Sequence, residues 1–348
     1  MSKRIGYIDA MRGFTMILVV YSHICGFCLG DRNIAFNDVL FLFRLPCFFF
    51  ISGWLFQGTW GRMGQGTVGS IIKHKFRVQI VPTLIFLFFL SPPPAYFHQF
   101  GAFKGGYWFT FALFYFFVIY MLMSLPFRHR QGRRSDIVML LLTLAISMSA
   151  YWYDINYHRL TLTCSESPVF QYVTALLGFL SYVVWRYYLF FFLGTLARKY
   201  FSHFLKIASN VKLMAIVVIC FFAISQIPRS DIFLREYFKF SIGGILGMTM
   251  IFALFRYLYK SRFFSPLTSY LSPLVFVGTR TLDIYLLHYF FLPEFLRPHA
   301  TQLLTTIPPQ LLPIVVLLVA LLVVVLCLVT SNLLRLSPFL ARYLFWAM

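Results

Sequence analysis

The stretch Leu311-Leu-Pro-Ile-Val-Val-Leu-Leu-Val-Ala320-Leu-Leu-Val-Val-Val-Leu-Cys-Leu-Val-Thr330 runs for 20 residues without a charge. A helix needs about 20 apolar residues to cross the hydrocarbon core of a bilayer, so this stretch reads as a membrane span. It has company. Apolar runs recur at about 13–30, 36–56, 78–93, 107–126, 137–153, 176–197, 213–228, 241–258, 274–293 and 309–334, which predicts an all-α polytopic protein of about ten transmembrane helices. The sixth run is oversized: Glu166 to Lys199 holds more apolar residues than one span needs and carries Arg186. A short interfacial segment before that helix would absorb the surplus, with Trp185, Tyr187 and Tyr188 suited to the headgroup belt.

The whole chain agrees with this reading. Of its 348 residues 60% are hydrophobic and 11% charged, and the mean hydropathy is +0.79. Soluble domains are about half apolar and a quarter charged, so the composition excludes a soluble enzyme, a disordered tail and a secreted disulfide scaffold. A single integral-membrane domain over 1–348 is expected. The longest outer connection, from Asp154 to about Gln171, is too short for a folded extracytoplasmic domain. The first apolar run has no small-residue cleavage site, which predicts an uncleaved first helix.

Thirty Lys and Arg face ten Asp and Glu, a formal charge of +20. In a soluble chain that excess would point to nucleic acid. Here it follows from the enrichment of cytoplasmic loops in Lys and Arg. With a cytoplasmic N-terminus and ten spans, 20 of the basic residues fall inside. Seven fall outside, namely Arg32, Lys104, Arg159, Arg229, Arg235, Lys239 and Arg297, and Arg44, Arg186 and Arg280 lie within spans. Both termini are therefore expected to be cytoplasmic. The partner implied is the lipid bilayer and no nucleic acid; the oligomeric state is not specified. Six cysteines sit mostly in apolar runs without a paired ligand spacing, which predicts packing and no metal site. No fixed-period repeat is visible.

The first helix concentrates the chemistry. It opens Tyr7-Ile-Asp9-Ala-Met-Arg12-Gly13 and reaches Tyr21-Ser22-His23. At 100° per residue Arg12 and His23 differ by about 20°, and Asp9 lies about 60° from Arg12, so all three share a face. The rise separates Arg12 from His23 by about 16 Å, roughly half the hydrocarbon thickness. Asp9 and Arg12 could simply form an i,i+3 ion pair. An imidazole among Val19, Val20 and Ile24 requires partners or water, and such intramembrane groups are functional candidates.

These residues resemble the acyltransferase-3 family of integral-membrane acyltransferases. That family carries an Arg, ten residues and a His in its first helix, here Arg12 to His23, within the form Asp9-Ala-Met-Arg12-Gly13. Further matches are Phe48-Phe-Phe-Ile-Ser52-Gly53, Trp108-Phe109, Phe192-Leu-Gly194 and Gly278-Thr-Arg-Thr-Leu-Asp-Ile-Tyr285-Leu-Leu-His288, with Thr281 at the usual Ser. His74-x-x-Arg77 replaces the family's usual Arg-x-x-Arg. The resemblance implies transfer of a small acyl group, usually acetyl from acetyl-CoA, to a hydroxyl of a cell-surface glycan or lipid-linked saccharide. It also implies a bacterial cytoplasmic (inner) membrane.

Chemistry assigns roles to the same residues. A sugar hydroxyl becomes a competent nucleophile once a base takes its proton, and His23 is the candidate, as base or as transient acyl carrier. Arg12, with Asp9 beside it, or Arg44 could hold a phosphate or an oxyanion. Lys73, Lys75 and Arg77 would attract the donor's phosphates. Ser52, before Gly53, marks either an acyl-chain contact or a helix contact; Trp108 is a belt residue or a stacking platform. Arg280 could pair with Asp283 at i,i+3, and His288 could reach a central cavity or bond Glu294. The rival reading is a transporter or flippase of glycan or lipid precursors, which would leave the thioester intact.

Overall fold

The computed structural model describes residues 5–30, 34, 36–60, 68–90, 106–127, 132–164, 167–228, 230, 232–260 and 272–345, without the side chains of 158–164 and 260. Of the basic residues weighed above, Lys3, Arg4, Arg32, Arg62, Lys104, Arg128, Arg130, Arg229 and Arg262 lie outside them, as do the side chains of Arg159 and Lys260. Helix dominates, with no strand among the described residues. The fold is all-α, as the sequence predicts.

In chain order the helices are α1 (Gly6–His23), α2 (Asn37–Trp60), α3 (Val68–Lys75), α4 (Val81–Leu90), α5 (Trp108–Ser124), α6 (Arg133–Cys164), α7 (Pro168–Phe179), α8 (Tyr188–Lys199), α9 (Phe201–Ala208), α10 (Val211–Ser225), α11 (Phe233–Lys260), α12 (Ser272–Thr279), α13 (Thr281–Phe291), α14 (Ala300–Thr306), α15 (Leu312–Leu334) and α16 (Pro338–Phe345). Widened π turns follow α1 at Ile24–Cys28 and α3 at Phe76–Ile80. Among the described residues six helices are long and apolar enough to span a membrane: Gly6–Cys28, Asn37–Trp60, Trp108–Phe127, Arg133–Tyr157, Phe233–Tyr259 and Leu312–Leu334. Two bent pairs raise this to eight if each is one span, Pro168–Phe179 with Tyr182–Lys199 at 51° and Phe201–Ala208 with Val211–Ser225 at 76°.

The helix starts have local causes. Ser167 caps α7, its side chain accepting from the Phe170 amide at 3.4 Å, with Pro168 at the first helical position. Asn210 caps α10 in the same way, accepting from the Leu213 amide at 3.2 Å. Two of the ten expected runs are not among these spans of the described residues. The run at 78–93 continues past the described residues, and its described part follows the charged turn of Lys73, Lys75 and Arg77. The run at 274–293 is split at Arg280 into α12 and α13. The described residues support six to eight spans.

The expected interfacial segment is corrected. Tyr182–Tyr187 forms a short 3₁₀ stretch between α7 and α8, but Tyr187 and Tyr188 are buried within the fold and cannot serve a headgroup belt. Ser181, fully buried, enters that stretch in the left-handed conformation, φ 52°, which a non-glycine residue seldom adopts.

The chain divides into two compact units. The first comprises Met1–Ile51, Ser202–Pro228 and Lys239–Met348; the second comprises Ser52–Phe201 and Arg229–Phe238. In the first, α1 and α12 touch backbone to backbone. A Cβ on Gly13 would meet the Leu274 carbonyl and the Gly278 amide, and one on Gly278 would meet the Asp9 carbonyl. Close approach through small residues is how membrane helices gain dispersion contacts in the absence of a hydrophobic drive. Gly247 of α11 lies equally close to Phe43 of α2. In the second unit Gly53 of α2 lies against the Phe191 carbonyl of α8. The small residue beside Ser52 therefore serves a helix contact.

Candidate active site

His23 is the last residue of α1, directly before the π turn Ile24–Cys28, an irregularity that often accompanies functional positions. It is half-buried, as are Asp9 and Arg12, among neighbours that are mostly buried. The Nδ1 atom of His23 lies 2.7 Å from Nε2 of His288 on α13. The two ring centroids are 4.9 Å apart with 20° between planes, so the nitrogens meet edge to edge along a hydrogen bond. Tyr289 lies 5.3 Å from the His23 ring and 4.1 Å from the His288 ring, and Phe27 meets His23 at 5.5 Å.

The proton positions follow from the partners. The Nδ1 atom of His288 lies 2.8 Å from the carbonyl oxygen of Tyr285 and 3.1 Å from that of Ile284. Carbonyl oxygens only accept, so His288 donates through Nδ1–H, and Nε2 of the neutral ring must accept. His23 then donates through Nδ1–H. Its own Nε2 is left with the lone pair. The arrangement fixes the tautomer of His23, as a general base requires. Of the two partners weighed for His288, Glu294 is not the one observed.

Arg44 belongs to the same unit. It is 8% exposed, and its Nη1 donates to Oδ1 of Asn37 at 2.9 Å. Ser22, next to His23, donates from Oγ to the same oxygen. Asn37 thus ties the guanidinium of α2 to the turn of α1 that carries His23. Sequence reasoning missed Asn37, and nothing local to it signals the contact. Tyr289 was missed likewise, although it adjoins His288.

The expected i,i+3 pair of Arg280 and Asp283 exists at 3.4 Å, but it is the weaker contact. Asp283 Oδ2 accepts from Arg335 Nη2 at 2.7 Å, from Arg335 Nε at 3.2 Å and from Ser331 Oγ at 2.6 Å. The remaining candidates lie in the second unit. Lys73 and Arg77 are exposed, while Lys75 is half-buried with Nζ 4.3 Å from the centre of the Phe117 ring. Ser52 is half-buried on α2, and Trp108 stacks on Tyr187 at 6.2 Å, within the fold.

Comparison with known proteins agrees with the motifs. No curated protein and no solved structure matches the chain. The acyltransferase-3 family, described as an acyltransferase domain, matches residues 5–332, which take in both histidines, Arg12, Arg44 and the apolar helices from α1 nearly to the end of α15. The chain belongs to the acyltransferase-3 family and is a membrane acyltransferase.

Proposed function

We propose that the protein moves an acyl group, acetyl in the first instance, from acyl-CoA to a hydroxyl of a cell-surface glycan or lipid-linked saccharide. The observation that carries this reading is the hydrogen bond from His23 to His288, which leaves Nε2 of His23 as an oriented base. His23 takes the acceptor hydroxyl's proton while the hydroxyl oxygen forms its bond to the acyl carbon. The carbon–sulfur bond breaks, and the proton held on His23 passes to the departing sulfur. Throughout, His23 keeps its Nδ1–H on His288, so the ring does not turn between taking and returning the proton.

An anionic donor is compatible with the side chains present. Arg44 is a buried guanidinium that donates to a neutral amide at 2.9 Å, and its fixed charge and forked donors suit an oxyanion or a phosphate. Arg12, with Asp9 on the same face of α1, is the other guanidinium for that role, and the exposed Lys73 and Arg77 with Lys75 draw the donor's phosphates to the cytoplasmic side. No metal enters this reading. It takes the protein as one domain of ten spans in a bacterial inner membrane, both termini cytoplasmic. Labelling from outside intact cells of a cysteine placed at Gly132 would overturn that topology.

The reaction is tested by release of free CoA thiol from acetyl-CoA by purified protein supplied with a lipid-linked saccharide extract. Acceptor-dependent release, with one acyl mass added to the saccharide, is expected. Protein that binds saccharide and releases no thiol would overturn the assignment in favour of transport.

A further inference from the structure

At the other end of the unit that carries the histidine pair, Arg280 and Arg335 share a single carboxylate. Asp283 is 4% exposed, and the side chains of Arg280 and Arg335 are 26% and 20% exposed. A guanidinium has five N–H donors. Arg280 uses one, on a contact of 3.4 Å, and its charge lies 5.9 Å from the Phe276 ring. Arg335 uses Nε and Nη2 on Asp283, with Ser331 sharing Nε, while its charge lies 4.6 Å from the Phe345 ring. Among the described residues Nη1 of Arg335 has no hydrogen-bond partner. Two positive charges thus meet one negative charge, with donors to spare, at partly exposed positions.

Position along the helices adds a second argument. Arg280 precedes His288 by eight residues of helix, about 12 Å of rise, and Arg12 precedes His23 by about 16 Å on the neighbouring α1. Gly13 of α1 lies against Gly278 of α12, two residues before Arg280, which brings the start of the Arg280–His288 stretch beside the Arg12 end of α1. The distance is of the order of the pantetheine arm of CoA, which joins the phosphates to the thioester.

We propose that Arg280 and Arg335 bind the phosphate groups of the CoA thioester, and that Asp283 holds the two guanidinia ready for them. This rests on the acyl-CoA reading above and adds a contact within the unit of the histidine pair. Arg280 and Asp283 lie within the residues matched by the family, 5–332, and Arg335 just beyond them.

Binding tests it independently of turnover. Purified full-length protein in a neutral detergent is titrated calorimetrically with CoA and with pantetheine, which lacks the phosphates. Wild type should bind CoA at least tenfold more tightly, and Arg335→Gln and Arg280→Gln should each remove most of that preference while leaving pantetheine unchanged. Because Arg335→Gln leaves Asp283 under-compensated, the pair Asp283→Asn with Arg335→Gln is titrated as well. Continued loss of preference there supports phosphate contact. Recovery of the preference would mean that Arg335 serves only Asp283, and overturns the proposal. Equal affinity of wild type for both ligands overturns it too. So does Arg335-dependent binding of phosphatidylglycerol in place of CoA, which would make the phosphate a lipid's. Acyl transfer stands or falls on the separate thiol-release assay.

Discussion

His288 and Asp283 lie five residues apart on α13, both buried, and are held in opposite ways. His288 touches two backbone carbonyls and a second imidazole, all hydrogen-bond partners with no formal charge in the neutral rings. Asp283 touches two guanidinia and a hydroxyl. The contrast separates two tasks within less than two turns of helix. At the proposed base, directional neutral partners fix a tautomer without trapping a charge. Where charge must be kept in an apolar setting, ionic partners compensate it.

The sharpest way to break the contrast is at the proton. If His23 is the base, His23→Ala should lower acyl transfer by about 10²–10⁴-fold, about 3–5 kcal/mol of barrier, with little change in thermal stability. A well-folded variant with near-full activity would remove His23 from the chemistry and move the base to His288.

The ionic site should respond in stability. Removing one member of a buried pair commonly costs about 3–5 kcal/mol, and the partial exposure of both arginines reduces this, so Asp283→Ala should destabilise the protein by about 2 kcal/mol. Thermal unfolding in detergent reads this, and an unchanged midpoint would mean that the two guanidinia are solvated well enough without the carboxylate.

His288 should act through His23. His288→Phe keeps an aromatic ring but removes the acceptor for His23 Nδ1–H, and should lower the rate about tenfold, or about 1.4 kcal/mol. His288→Gln offers an amide oxygen to the same proton and should recover part of the loss. Equal defects in both variants would point to packing instead of tautomer control. Smallest is Arg12→Lys, which keeps charge and loses the planar fork; a roughly severalfold loss of turnover is expected if Arg12 contacts an oxyanion or phosphate. Wild-type kinetics would confine Arg12 to pairing with Asp9.

The sequence by itself determined the class of fold, because an apolar run such as 311–330 has only one way to satisfy its backbone in lipid, as helix. It also determined the spacing of Arg12 and His23, since helical periodicity is local. Hydropathy did not show how the runs are interrupted: Arg280 divides one, and Ser181 and Asn210 stand at bends that a hydropathy average passes over. Sequence reasoning placed Tyr187 and Tyr188 at a membrane surface because amphipathic rings suit a belt, whereas the fold buries them. Only the tertiary structure decided that His288 faces His23, that Asn37 joins Ser22 to Arg44, and that Arg335 outcompetes Arg280 for Asp283. Those partners are 265, 15 and 52 residues apart along the chain. Periodicity says which side of a helix a residue occupies, but which other helix lies against that side is set by backbone approach at Gly13 and Gly278, a contact with no counterpart in local sequence pattern.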